Sequence, residues 1–302
     1  TQSNQQLFFI NPSLNVNYEI NRKNRLSLNL AQNRTNAQIL DVYDQFVLTG
    51  FRSFNKGTGT FNQLDASSLS FNYQLGNWSD KFFATFSSNY TKNHDFFSSN
   101  TIIEPNFSQS ERIVIQDREA LSFNATMDYY ISPLSSNLKF KAGLFISEFK
   151  NIINNSQLRE VQSENSNLGL EMRSAFDGIF NYHLGTTWAF NKVTASSVSN
   201  SFTDNTSFVD LSFVFSEKFN ISVKSERYFF GNINDGDNTY YFIDVDARLK
   251  LKDKSPFSFS LMARNLTNTE QFRTSSINDF SSSTVSYRLL PRYTLLSVLY
   301  RF

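Results

Sequence analysis

Apolar and polar residues alternate along most of this chain with a period of two. Leu14, Val16, Tyr18 and Ile20 fall on one side of an extended segment, and Asn15, Asn17 and Glu19 on the other. Successive residues of a strand point to opposite faces, so the pattern predicts a β-strand with one apolar and one polar face. The rhythm returns at Leu26, Leu28 and Leu30, then at Leu69, Phe71, Tyr73 and Leu75, and again over 82–90, 121–131 and 138–146. It continues over 168–172, 180–188, 209–215, 219–223, 241–251, 257–263 and 296–302. Thirteen strands follow from this reading. Short polar turns are expected at 21–24, 76–80, 132–137, about 177–178, 216–218 and 252–256. Between them lie longer polar stretches, read as loops, at 34–66, 92–117, 150–164, 191–205, 231–238 and 265–291.

Short and long connections therefore take turns through six hairpins. Transmembrane β-barrels of outer membranes show this asymmetry, with tight turns inside and longer loops outside. The two faces agree with that class. One carries Phe, Tyr and Leu at nearly every position. The other is richly polar, as in the row Asp244, Asp246, Arg248 and Lys250. A soluble sandwich would instead have a dry inner face.

Composition sharpens the picture. The chain of 302 residues holds 33 Phe and 13 Tyr, ring surface that a soluble protein must bury and a barrel can turn into lipid. No run approaches the roughly 18–20 apolar residues of a membrane-spanning helix. A formal net charge of +1 gives no general attraction to nucleic acid. The absence of cysteine removes disulfides and thiolate metal sites. Residues 1–12, TQSNQQLFFINP, lack the basic and apolar regions of a secretory leader.

Several stretches resemble a known family. The last residues, 292–302, read RYTLLSVLYRF, and Leu296, Val298, Tyr300 and Phe302 share one face. This is similar to the C-terminal insertion signal of Gram-negative outer-membrane barrels, which the barrel assembly machinery reads. ARNLTN at 263–268, YRLLPRYTLLSVLYRF at 287–302, SAFDGIFNYHLGTTWAF at 174–190 and residues 228–231 resemble the C-terminal part of a TonB-dependent outer-membrane receptor. The branch carrying a carboxypeptidase-regulatory-like N-terminal domain is the nearer likeness. The resemblance implies an all-β antiparallel barrel of about 22 strands with a plugged lumen. Thirteen counted from the end would be its strands ten to twenty-two.

It also implies import of a nutrient ligand across the outer membrane of a Gram-negative bacterium, driven by TonB acting on the plug. The plug, the TonB box and the first nine or so strands have no counterpart in residues 1–302, so the chain reads as one incomplete barrel domain. Its expected partners are the lipid bilayer, the remainder of its own barrel and plug, and other outer-membrane subunits. Three alternatives stay open: a scaffold subunit of an outer-membrane complex, a complete smaller channel or lipid transporter of about fourteen strands, and a soluble or surface-exposed β-adhesin.

Little in the chain points to catalysis. His94 falls in an expected loop and His183 on the polar face, and neither is near a repeated acidic or histidine partner in sequence. Asp235, Asp237 and Asn238 in NDGDN have calcium-loop composition but lack the following Glu; a DG turn explains them. There is no phosphate-cradling glycine loop and no nucleophile elbow, and no cofactor or metal is expected. The expected ligand contacts are aromatic and basic residues in two outer loops: Tyr43, Phe51, Arg52 and Phe54 in the first, Phe96 and Phe97 in the second.

Overall fold

A computed structural model describes residues 10–77, 79–174, 178–196, 198–233, 236–251 and 256–300. Thirteen strands form one continuous antiparallel meander. They are β1 (Ser13–Asn21), β2 (Asn24–Asn36), β5 (Gln63–Gly76), β6 (Phe82–Ile103), β7 (Ser108–Ile131), β8 (Ser136–Ile153) and β9 (Arg159–Ser174). After these come β10 (Phe180–Ala195), β11 (Val198–Ser216), β12 (Phe219–Phe230), β13 (Thr239–Lys250), β14 (Phe257–Arg264) and β17 (Tyr293–Tyr300). Two small hairpins are set into connections: β3 (Val47–Gly50) with β4 (Ser53–Lys56), and β15 (Gln271–Ile277) with β16 (Ser282–Arg288). A single helical turn, α1 (Ile39–Val42), precedes the first of these.

Register places the predicted apolar residues in unbroken rows across the sheet. One row runs Phe213, Ile221, Ala247, Leu261 and Leu296. The next runs Leu184, Val209 and, one strand pair on, Leu211, Val223, Val245 and Ala263. This face has nothing over it: Leu170, Trp188, Leu249, Leu261 and Leu296 are all exposed. Aromatic rings gather on it at the short-turn end. Phe82 meets Tyr129, Phe180 meets Phe213 at 5.0 Å, Phe215 stacks on Phe219 at 5.2 Å and Phe257 meets Tyr300 at 4.9 Å.

The sheet is thus a wall without an interior on its apolar side. The buried apolar residues among those described are Phe96, Val161, Ala195, Ile233 and Tyr240. The chain exposes 20038 Å², against roughly 13,000 Å² for a compact soluble protein of this mass. The wall is an open arc: β1 bonds only to β2, and β17 only to β14, among the described residues. No helix among them is long and apolar enough to cross a membrane.

The expected loops need correction. Residues 92–117 are mostly strand, because β6 runs on to Ile103 and β7 starts at Ser108, leaving 104–107 as the connection. Likewise 150–164 shrinks to 154–158, and 191–205 to 196–197. The 34–66 stretch holds α1 and the β3–β4 hairpin; 265–291 holds the β15–β16 hairpin. On the other side, the 132–137 turn shortens to 132–135. The asymmetry between the two ends is therefore chiefly one of strand overshoot. β6 and β7 have 22 and 24 residues, where about 9–11 tilted residues span a bilayer. Above the band both faces meet water or protein, so hydrogen-bonded pairing continues while alternation stops. The expected turn at 177–178 lies partly outside the described residues.

The longest overshoot also turns over. At its base the order is β5-β6-β7-β8. At its top it is β4-β7-β6-β8, with β4 parallel to β7 over 53–56 and 108–111, and β6 parallel to β8 at Asn100 and Thr101. The β6–β7 ribbon has rotated by half a turn between these levels. Two-stranded ribbons twist more than wide sheets. The change comes where Asp117 adopts φ 62°, a left-handed conformation that aspartate tolerates better than most residues.

Candidate functional site at the overshooting mouth

The polar face of the wall carries charges that the register sets side by side. Along one row stand Asn137, Arg173, His183, Asp210, Lys224 and Asp244, each the cross-strand partner of the next. Arg264 closes the row, 2.8 Å from Asp246 and 3.5 Å from Asp244. Lys141 lies 2.7 Å from Glu171. Opposite charges directly across a ladder stabilise one another. His183 packs edge-on to Phe208, with ring centroids 4.7 Å apart, and lies 3.8 Å from Glu171. Sequence spacing hid this acidic neighbour. Gly185 faces Phe208 across the ladder, and a Cβ there would come within 2.7 Å of that ring. His94, expected in a loop, is in β6, with Nε2 3.0 Å from the Ser67 hydroxyl. Among the described residues no group of three or more His, Asp or Glu is placed to hold a metal ion.

Over this inner face lies the β15–β16 hairpin. Phe272 sits among Tyr228, Phe230, Tyr240 and Phe242, with centroids 5.1–6.0 Å away. All four cage rings alternate with the outward positions Val223, Ile243 and Val245, so the hairpin docks on the polar side. Its tip reaches five strands along the arc. Asp279 is ion-paired with Arg159 and accepts a hydrogen bond of 2.8 Å from Asn151 Nδ2. Asn151 and Arg159 are themselves register partners on β8 and β9. The hairpin thus spans the mouth as a chord, fastened by five aromatic rings at one end and a largely buried ion pair at the other. At its root is the predicted NLTN motif. Asn265 and Asn268 take φ 51° and 55°, and Asn265 Nδ2 donates to the Thr269 and Leu290 carbonyls at 2.9 Å. The motif is a strand-end knot.

Across the mouth, the β3–β4 hairpin and α1 pack on the inverted β6–β7 ribbon. Asp41 is buried and pairs with Arg112 at 2.8 Å, and its backbone carbonyl accepts from Thr58 N–H at 2.7 Å. A Cβ on Gly57 would stand 2.5 Å from that carbonyl, so only glycine permits this approach. Lys56 bridges Glu111 at 3.0 Å and Asp44 at 3.2 Å. Its hydrogen bonds to Glu111 and then Asp44 hold the ammonium pKa above the usual lysine value.

The expected ligand residues divide between two places. Phe96 and Phe97 line a cleft of about 390 Å³ together with Asn55, Arg112, Arg118 and Phe149. Arg112 lies over the Phe97 ring at 5.4 Å, and Arg118 over Phe96 at 5.9 Å. Phe51 and Arg52 stack on each other at 4.9 Å on the β3–β4 turn, with Phe51 88 % exposed. Tyr43 is half-exposed at the end of α1, and Phe54 is in β4 beside Asn55. Arg112, Arg118, Phe149 and Asn55 were not anticipated. Arg112, Arg118 and Phe149 come to the cleft through strand overshoot and Asn55 through the inserted β3–β4 hairpin, neither of which has an apolar period to announce it. Of the expected insertion-signal residues, Leu296, Val298 and Tyr300 lie on the outward face of the edge strand β17; Phe302 lies outside the described residues.

No family model matches the chain, and no curated protein sequence matches it. Among solved structures, the ferric yersiniabactin uptake receptor FyuA from Yersinia pestis is similar over 97 % of this chain and 50 % of its own, at 12 % identity and a TM-score of 0.49. The siderophore receptor PirA from Acinetobacter baumannii is similar over 97 % and 48 %, at 10 % identity and 0.48. A FadL homologue of Pseudomonas aeruginosa is similar over 95 % and 75 %, at 10 % identity and 0.36. The chain spans about half the length of the two receptors.

Proposed function

We propose that this chain is the C-terminal wall of a TonB-dependent outer-membrane receptor that imports a nutrient, of the branch with a carboxypeptidase-regulatory-like N-terminal domain. One observation carries the reading. A thirteen-strand meander turns an unbroken apolar band to one side and a charged face to the other, which is the arrangement a bilayer and a wet lumen require. Open edges in lipid leave unpaired backbone groups, so the strands of the same barrel close β1 and β17. The charged row faces the plug, on which TonB acts. The mouth captures ligand and performs no catalysis. Leu296, Val298, Tyr300 and Phe302 present the insertion signal to the barrel assembly machinery.

The reading is tested on outer membranes probed with an antibody to residues 287–302. A heat-modifiable band of more than twice the 34.8 kDa of this chain, confined to the outer-membrane fraction, is expected. Recovery in the soluble fraction overturns the reading. Phe302→Asp is expected to deplete that band by replacing the terminal aromatic with a charge; undiminished levels remove the insertion role.

A further inference from the structure

The cleft between β4, β6, β7 and β8 has one cation without a counter-charge. The Arg118 side chain makes no hydrogen bond and no ion pair among the described residues, and its Nε is shielded from solvent with no acceptor. Asp95, whose register partner Gln116 lies two residues from Arg118, makes no ion pair with it either. Glu119 and Asp117, its sequence neighbours, turn to Lys92 at 3.1 and 3.7 Å. The other guanidinium in the cleft, Arg112, is neutralised by Asp41. Each guanidinium lies over a phenylalanine ring, Arg112 over Phe97 and Arg118 over Phe96, and Phe96 is 5 % exposed. The Phe96 ring flanks the Arg118 guanidinium without satisfying its N–H groups.

A guanidinium held this way offers a planar fork that matches a carboxylate bidentately. The remaining walls favour a flat body behind that carboxylate, because Phe97 and Phe149 both keep part of their rings open to the cleft. The side-chain amide of Asn55 makes no hydrogen bond among the described residues and stands at the rim. At about 390 Å³ the space admits a ring with its acid group.

We propose that this cleft binds a small aryl carboxylate, its acid group on Arg118 and its ring against Phe97 and Phe149. This deepens the receptor reading by naming the ligand class at the mouth. Nearby carboxylates on the adjoining wall, Glu148 and Glu160, belong to a neighbouring cleft on the far side of Phe149, so they set the boundary of the positive region.

The test is ligand-observed NMR on the full-length protein in detergent micelles, with benzoate, its neutral counterpart benzamide, and inorganic phosphate as the anion without a ring. Benzoate is expected to bind at least about tenfold more tightly than either, the size of one charge-assisted pair. Arg118→Gln is expected to lose that advantage, and Arg118→Lys to keep part of it. Equal binding of benzoate and benzamide, or benzoate binding untouched by Arg118→Gln, overturns the proposal. Phosphate binding as tightly as benzoate overturns the aryl assignment. If Arg118→Gln loses its heat-modifiable band, Phe97→Leu decides: weakened benzoate with unchanged phosphate supports the site, and unchanged benzoate refutes it. Failure of this proposal leaves the receptor reading standing, because membrane fractionation reads that separately.

Discussion

Two halves of the same strand behave differently. From Phe82 to Tyr90, β6 alternates apolar and polar residues, and its outward side chains join rows that cross the arc. From Thr91 to Ile103 the same strand reads TKNHDFFSSNTII, without alternation, yet it stays paired to β7 at nearly every residue. The first half stands between two solvents; the second does not. Alternation reports a difference between the two sides of a strand, and pairing persists where that difference vanishes. Both regions are β-sheet, but one is held by what it faces and the other by what it binds.

Several substitutions would sharpen or break this contrast. The largest effect belongs to the band. Val245→Arg, in the row with Val223 and Ala263, is expected to cost about 2–4 kcal/mol of barrel stability in bilayers, measured by urea unfolding in liposomes. A tolerated arginine would mean that the row does not meet lipid. Next comes the mouth. Phe272→Ala removes the central ring of its cage and is expected to cost about 2 kcal/mol locally, less than a fully buried ring. Its sign is faster protease cleavage within 271–288, with the wall unaffected.

Asp279→Asn is expected to weaken the other end of the chord by about 1–2 kcal/mol, between an exposed and a fully buried pair. Cleavage at the same sites reads it. At the ribbon inversion, Asp117→Gly should be neutral or stabilising by up to about 1 kcal/mol, whereas Asp117→Val should cost about 1–2 kcal/mol. Equal effects would show that the left-handed residue does not set the twist. The smallest effect concerns Lys56. Because its pKa is raised in the folded state, its contribution is present below the free lysine value of 10.5 and is lost as pH climbs through the higher folded value. Hydrogen exchange of 47–56 should quicken only at such alkaline pH, and Lys56→Met should abolish the step.

The wall was legible because lipid and lumen write a period-two signal into each strand. All thirteen members of the meander, and the facing of residues such as Leu261 and Val298, follow from that signal. The mouth was legible only in composition. Phe96 and Phe97 stood out as aromatics in a polar stretch, but Arg118 looked like any strand-adjacent arginine. Its role depends on Lys92 taking the neighbouring acids and on a half-turn of the ribbon. The chord formed by Phe272 and Asp279 was equally hidden. Its partners are separated by up to 128 residues, and no local pattern encodes such a contact. His183 gained Glu171 and Asp210 as neighbours through register alone.

The claim on which the rest depends is the direction of the arc: overshooting strands outside the cell, short turns inside. The chain has no cysteine, so single cysteines can be introduced at Phe51, on the exposed β3–β4 turn, and at Lys218, in the short turn before β12. Intact cells would be treated with a bulky membrane-impermeant maleimide. The account predicts that the residue-51 cysteine is labelled at once, and that the residue-218 cysteine is labelled only after the outer membrane is opened. Labelling of residue 218 on intact cells while residue 51 stays protected would reverse the arc and contradict the account.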